Sequence, residues 1–106
     1  VLTKGTQWHY YVNMKPFEWS EEKNRWLKKE RGISFEEMVF AILGGQLVDI
    51  VEHPNREKYG NQRIYLIEVD NYIYAVPYEE TDEAIILKTI FPSRKYTKKY
   101  IQEREL

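Results

Sequence analysis

Residues 63–78 read RIYLIEVDNYIYAVPY, and this stretch decides the fold. Two runs of β-branched and aromatic residues flank Asp70-Asn71, which has the length and chemistry of a two-residue hairpin turn. With that turn, Val69 lies opposite Tyr72, Ile67 opposite Tyr74, Tyr65 opposite Val76 and Arg63 opposite Tyr78, all on one face. Taking 79–83 as a five-residue turn brings a further strand, about 84–91, alongside and adds Ala84, Ile86, Lys88 and Ile90 to the same face. The opposite face then holds Ile64, Leu66, Ile73, Ala75, Ile85, Leu87 and Phe91, with Glu68 its one ionisable member. Pro77 cannot donate to a ladder and belongs at a strand end or on an edge.

Upstream, residues 47–52 predict the first strand of this sheet, joined to 63–69 by a polar loop from His53 to Asn61. Two helices precede it. Ser20 is a suitable N-cap for the first, whose opening turn carries Glu21 and Glu22 and whose later turns carry Lys28, Lys29 and Arg31, matching the helix dipole. Gly32 ends it. Ser34 and Glu37 form a capping box for the second, in which each side chain satisfies the other residue's backbone N–H. That helix runs through Met38, Val39, Phe40, Ile42 and Leu43, is apolar on most sides and is expected to be buried, ending at Gly44-Gly45. Ser93, after Pro92, caps a final basic helix. The expected architecture is α+β: two N-terminal helices packed on a four-stranded antiparallel β-sheet, with a C-terminal helix. The aliphatic face is the expected floor for the two helices.

The other face mixes Arg63 and Lys88 with Tyr65, Tyr74 and Tyr78, as a surface must if it is to neutralise phosphates and stack bases on aromatic rings. The same residues also suit a half-exposed sheet whose tyrosines pack on the C-terminal helix and whose cations pair with Glu79 or Glu80. Composition bounds the choice. The chain has 106 residues, no cysteine, nine Tyr and a formal net charge of -1, so it is one domain without disulfides or thiolate metal sites. The small net charge hides segregation: residues 66–86 carry six acids and no Lys or Arg, whereas Lys88 to Arg104 carry six bases and one acid. Lys23, Arg25, Lys28, Lys29 and Arg31 form a second basic cluster. No apolar run approaches the ~20 residues of a membrane span, so a soluble, cytoplasmic protein with no membrane partner is expected. His9 and His53 are isolated, which argues against a metal site, and there is no phosphate-binding glycine loop or nucleophile elbow. RNA cleavage needs none of these, because the ribose 2′-hydroxyl is itself the nucleophile. Residues 1–13, with Trp8, His9, Tyr10, Tyr11 and Val12, read as an extension, an extra strand or an ordered tail ahead of a domain spanning 14–106.

Several motifs in order carry a family resemblance: Phe17-Glu18-Trp19; Lys23, Asn24 and Arg25; Arg31 through Glu37; Gly60 with Arg63; and Leu87-Lys88 through Ser93-Arg94-Lys95 to Tyr100. Over residues 14–100 the chain resembles BrnT-type toxins, small ribonucleases of the RelE/ParE-like superfamily in type II toxin-antitoxin systems. The resemblance implies a metal-independent endoribonuclease without cofactors that blocks translation by cutting RNA, free or ribosome-associated. It assigns Lys23, Arg63, Lys88 and Arg94 to a basic active surface. Within that reading, Glu79 is the candidate carboxylate base, and Tyr65, Tyr74, Tyr78 and Lys95 are RNA contacts. The implied partner is a ribbon-helix-helix antitoxin, meeting the acidic 79–83 turn or the basic C-terminal helix. Arg31 stands where the family usually has His, Leu27 where Asn is common, and Pro92 lengthens the stretch before Arg94. Such departures suit a branch that kept antitoxin binding and altered its RNA chemistry. The alternative is a non-catalytic interaction module of the same fold, binding an antitoxin or a gyrase-type target.

Overall fold

The structure, a computed structural model, describes residues 15–103, so the expected 1–13 extension lies outside the described residues. The fold is α+β. In chain order it runs β1 (Phe17–Glu18), α1 (Glu21–Arg31), α2 (Phe35–Leu43), β2 (Leu47–Glu52), α3 (Arg56–Tyr59), β3 (Gln62–Val69), β4 (Tyr72–Glu80), β5 (Ile85–Leu87), β6 (Phe91–Pro92) and α4 (Arg94–Thr97). Wider π-helical turns continue α4 over Lys98–Gln102. The short α3 sits within the stretch expected to be only a loop.

The helix boundaries follow from capping. The Ser20 side chain accepts the Lys23 N–H at 3.1 Å, and Gly32, at φ +67°, turns its N–H back to the Lys28 carbonyl. Ser34 Oγ accepts the Glu37 N–H at 3.2 Å and donates to the Glu37 carboxylate at 3.1 Å, so the box closes through the hydroxyl. Between the two helices Asn24 is fully buried. Its carbonyl oxygen accepts the Phe35 N–H at 2.8 Å and its amide donates to Glu36 at 2.7 Å, clasping the start of α2 to α1. These bonds hold the Glu36 carboxyl below its ordinary pKa, with help from the Lys28 charge.

The sheet order is β1-β5-β4-β3-β2, with β6 pairing β4 farther along the edge that β5 also uses. Asp70 and Asn71 both have positive φ, 53° and 64°, as a primed hairpin turn needs, and the β3–β4 register is the expected one throughout. Three features depart from the expected four-stranded antiparallel sheet. First, β1 adds an edge strand and runs parallel to β5. Second, β4 continues through Glu80, and the turn is 81–84, where Thr81 Oγ1 accepts the Glu83 and Ala84 N–H groups. Leu87, rather than Ala84, therefore stands opposite Tyr78. Third, the expected 84–91 strand is two strands, because the register along β4 slips by one residue between Leu87 and Phe91.

The helices also cover the other face. Leu27, Ile33, Phe35, Met38 and Ala41 pack with Tyr65, Ile67, Val76, Tyr78, Leu87 and Ile90, so α1 and α2 lie on the tyrosine-bearing face. Each large aliphatic or aromatic side chain fully buried there contributes about 1.5–3 kcal/mol. The aliphatic face, Ile64, Leu66, Ile73 and Ala75, is covered instead by Ile101, Tyr96 and Tyr100 of the C-terminal helical segment. Nor is α2 buried all round, since Phe40 and Leu43 point outward at 78% and 60% exposure.

Candidate functional site

At the end of the sheet away from the Asp70–Asn71 turn, strand alternation brings a polar group together on the helix-covered face. Arg63 opens β3 and pairs with Tyr78 across the ladder, and Tyr65 lies two residues along. The Tyr65 and Tyr78 rings stack at 3.9 Å with planes 11° apart, and both are buried, at 6% and 4% exposure. Phe17 of β1 sets its ring edge-on against Tyr65 at 6.4 Å. Burial pushes both phenols above their ordinary pKa; for Tyr78 the Arg63 charge and hydrogen bond partly offset it. Glu80 follows Tyr78 on the same face, and Lys15 donates to its carboxylate at 2.7 Å and to the Thr81 carbonyl at 2.9 Å. Lys15 holds the Glu80 carboxyl below the usual range, with a smaller contribution from Arg63.

This arrangement can bind an anion. Arg63 is exposed, forms no ion pair among the described residues and carries a forked donor set suited to phosphate oxygens. At neutral pH the Tyr78 hydroxyl is a hydrogen-bond donor beside it, and Glu80 is an ionised acceptor. Two members, Lys15 and Glu80, were not singled out by the sequence reading. The signal was there: on a strand that runs to residue 80, Glu80 shares the face of Tyr78 and Glu79 does not.

The other expected site residues are distributed differently. Glu79 lies on the opposite face, 3.4 Å from Lys88 Nζ and accepting the Asn61 amide at 3.0 Å. Lys88 therefore joins Glu79 and not Arg63, a result of the turn occupying 81–84. Tyr65 and Tyr78 cover each other under the helices and present no open ring to a base, which corrects their reading as stacking platforms. Tyr74 is half-buried, with Tyr72 edge-on at 6.0 Å. Arg94 and Lys95 begin α4, which is fixed over Ile73 by the Ser93 N–H to the Ile73 carbonyl and by Thr97 Oγ1 accepting the Ile73 N–H. Ile73 is five residues along β4 from Tyr78, roughly 16 Å at ~3.3 Å per residue, so these two cations sit toward the other end of the sheet. Lys95 lies over the Tyr96 ring. Lys23, on α1, lies 4.5 Å over the half-exposed Trp26 ring, which Arg31 also approaches at 5.0 Å while donating to the Ile90 carbonyl. Arg31 is thus a strut between α1 and the break between β5 and β6.

Among the described residues no group of three or more His, Asp or Glu is placed to hold a metal ion, and no helix is long and apolar enough to cross a membrane. No protein-family model, curated protein or solved structure matches the chain.

Proposed function

We propose that this chain is the toxin of a type II toxin-antitoxin pair, a cytoplasmic endoribonuclease that stops translation by cutting RNA. The observation that carries the reading is the exposed Arg63, without an ion pair among the described residues, beside the Tyr78 hydroxyl and the Glu80 carboxylate. The motifs shared with BrnT-type, RelE/ParE-like toxins support it, as does the succession of two helices, an antiparallel meander and a C-terminal helix that the resemblance implies. The reaction fits without a metal: a ribose 2′-hydroxyl attacks the adjacent phosphorus, the P–O5′ bond breaks to leave a 2′,3′-cyclic phosphate, and the departing 5′-oxygen takes a proton from water. Arg63 holds the phosphate oxygens and the developing charge, and Tyr78 donates a further hydrogen bond. Glu80, rather than Glu79, is the carboxylate within that cluster for the 2′-hydroxyl proton. A ribbon-helix-helix antitoxin is the proposed partner.

A second reading, a non-catalytic interaction module that binds an antitoxin or a gyrase-type target, is favoured by one observation. The expected cations do not converge, since Lys88 is engaged by Glu79 and Arg94 lies toward the far end of the sheet. Expression of the wild type and of Arg63→Ala, with growth and total RNA followed together, separates the two. The nuclease reading expects growth arrest with RNA cleavage, and a loss of about 100-fold or more in cleavage for Arg63→Ala. Arrest with intact RNA would establish the module instead. RNA affinity should fall with log salt at a slope of about -0.7 per phosphate held.

A further inference from the structure

We propose that the outward side of α2 is a docking surface for a basic amphipathic helix of a partner protein, whether or not the chain cuts RNA. Phe40 and Leu43, one helical turn apart, are 78% and 60% exposed, although α2 has an inner side, Phe35, Met38 and Ala41, that is fully used in the core. Large apolar side chains left together on a surface mark interaction sites more often than accidents. Beside Phe40 an open groove of about 490 Å³ runs between α2 and the end of β3, with Ala41 and Val69 contributing its apolar lining. Its polar rim is acidic: Glu36 and Glu37 line it from α2, with Gln46 at its far end.

Charge identifies the occupant. No Lys or Arg lines the groove, and the cation that meets its rim is Lys28 of α1, 3.9 Å from Glu36. A partner helix with an apolar stripe at i, i+3 or i+4, and i+7, flanked by Lys or Arg, would insert its stripe beside Phe40 and Leu43 and set its cations against the rim. A second copy of this surface would oppose Glu36 and Glu37 to themselves, and RNA would meet the same carboxylates.

The test titrates the full chain, isotope-labelled for NMR, with a synthetic helical peptide of about 18 residues bearing Leu in that stripe and Lys on both flanks. A control peptide carries Glu in place of each Lys. The expected result is shift changes centred on Phe40, Leu43 and Val69, and affinity lowered about ten-fold by Phe40→Ser or Leu43→Ser. Affinity should also fall as salt rises from about 50 to about 300 mM. Both substitutions are at exposed positions, and an unchanged thermal midpoint verifies each fold. Equal binding of the two peptides, shifts elsewhere, or unaltered affinity in both variants overturns the proposal. So does a dimer in sedimentation that Phe40→Ser dissociates, which would make a second copy the occupant. Nuclear Overhauser contacts from Phe40 to residues 1–14 would assign the surface to the chain's own beginning and overturn it as well.

Discussion

The two faces of the central sheet are covered by different means. Over the tyrosine-bearing face lie two capped helices, of 11 and nine residues, clasped by Asn24 and contributing four buried side chains, with Ile33 of their link a fifth. Over the aliphatic face lies one α-turn continued by a π-helical stretch, with Ile101 as its fully buried contribution. Polar anchors supplement that smaller layer: Thr97 on the Ile73 N–H, and the Tyr100 hydroxyl donating to Asp49 of β2. A broad apolar layer resists opening through area, whereas a narrow one depends on individual bonds, so the C-terminal cover should open at lower free-energy cost than the helix pair.

Substitutions can break or sharpen this contrast. The largest loss is expected for Phe35→Ala, about 3–5 kcal/mol in chemical denaturation, because the ring is fully buried and stacked against Trp19 at 5.6 Å. Ile101→Ala should cost less, about 2–4 kcal/mol, and should release amide exchange protection in residues 94–103 before it affects α1. Equal costs with uniform exchange would erase the distinction. Asn24→Ala leaves the Phe35 N–H buried without its partner and should cost about 1–3 kcal/mol.

A smaller effect is set by pH. Tyr65, Tyr78 and Tyr100 all titrate above the ordinary tyrosine value of 10, Tyr100 pushed up to about 12 by its bond to Asp49. In the unfolded chain these phenols ionise near 10 while the folded chain keeps their protons. Their contribution is therefore complete below pH 10 and is lost as pH rises above it. Thermal midpoints between pH 9 and 12 should decline, and Tyr65→Phe and Tyr100→Phe should each flatten the decline, reporting on one face apiece. The least effect is expected for Lys15→Ala, whose bridge to Glu80 is solvent-exposed: its thermal midpoint should stay close to the wild-type value.

Much of the fold was legible in local chemistry. Ser20, Gly32, Ser34, Asp70 and Asn71 each act through groups within a few residues, and all mark the boundaries they were expected to mark. What covers each face was not legible, because an aliphatic face and a tyrosine-bearing face are both apolar enough to receive helices. A phenol ring can stack and bury while only its hydroxyl needs a polar neighbour. Parity was lost at Thr81, whose hydroxyl organises the turn after β4; one misplaced turn moved Lys88 to the face of Arg63 and left Leu87 on the other. The candidate site was legible at Arg63, where the β3–β4 register is local. It failed at Glu80 and Lys15, which meet only because β1 returns to the sheet edge.

The Asp70–Asn71 turn also bears on the order in which the chain gains structure. It joins the longest ladder in the molecule with two connecting residues, so β3 and β4 meet at the lowest loop-closure entropy of any pair in the sheet. Hairpins of this kind form in roughly 1–10 μs, well ahead of contacts between distant segments. The pairing of Phe17 with Ile85, 68 positions apart, closes the largest loop for two ladder positions. The cluster around Arg63 is thus half built by the earliest structure and half by the latest, and the Lys15–Glu80 ion pair forms only when the sheet is complete.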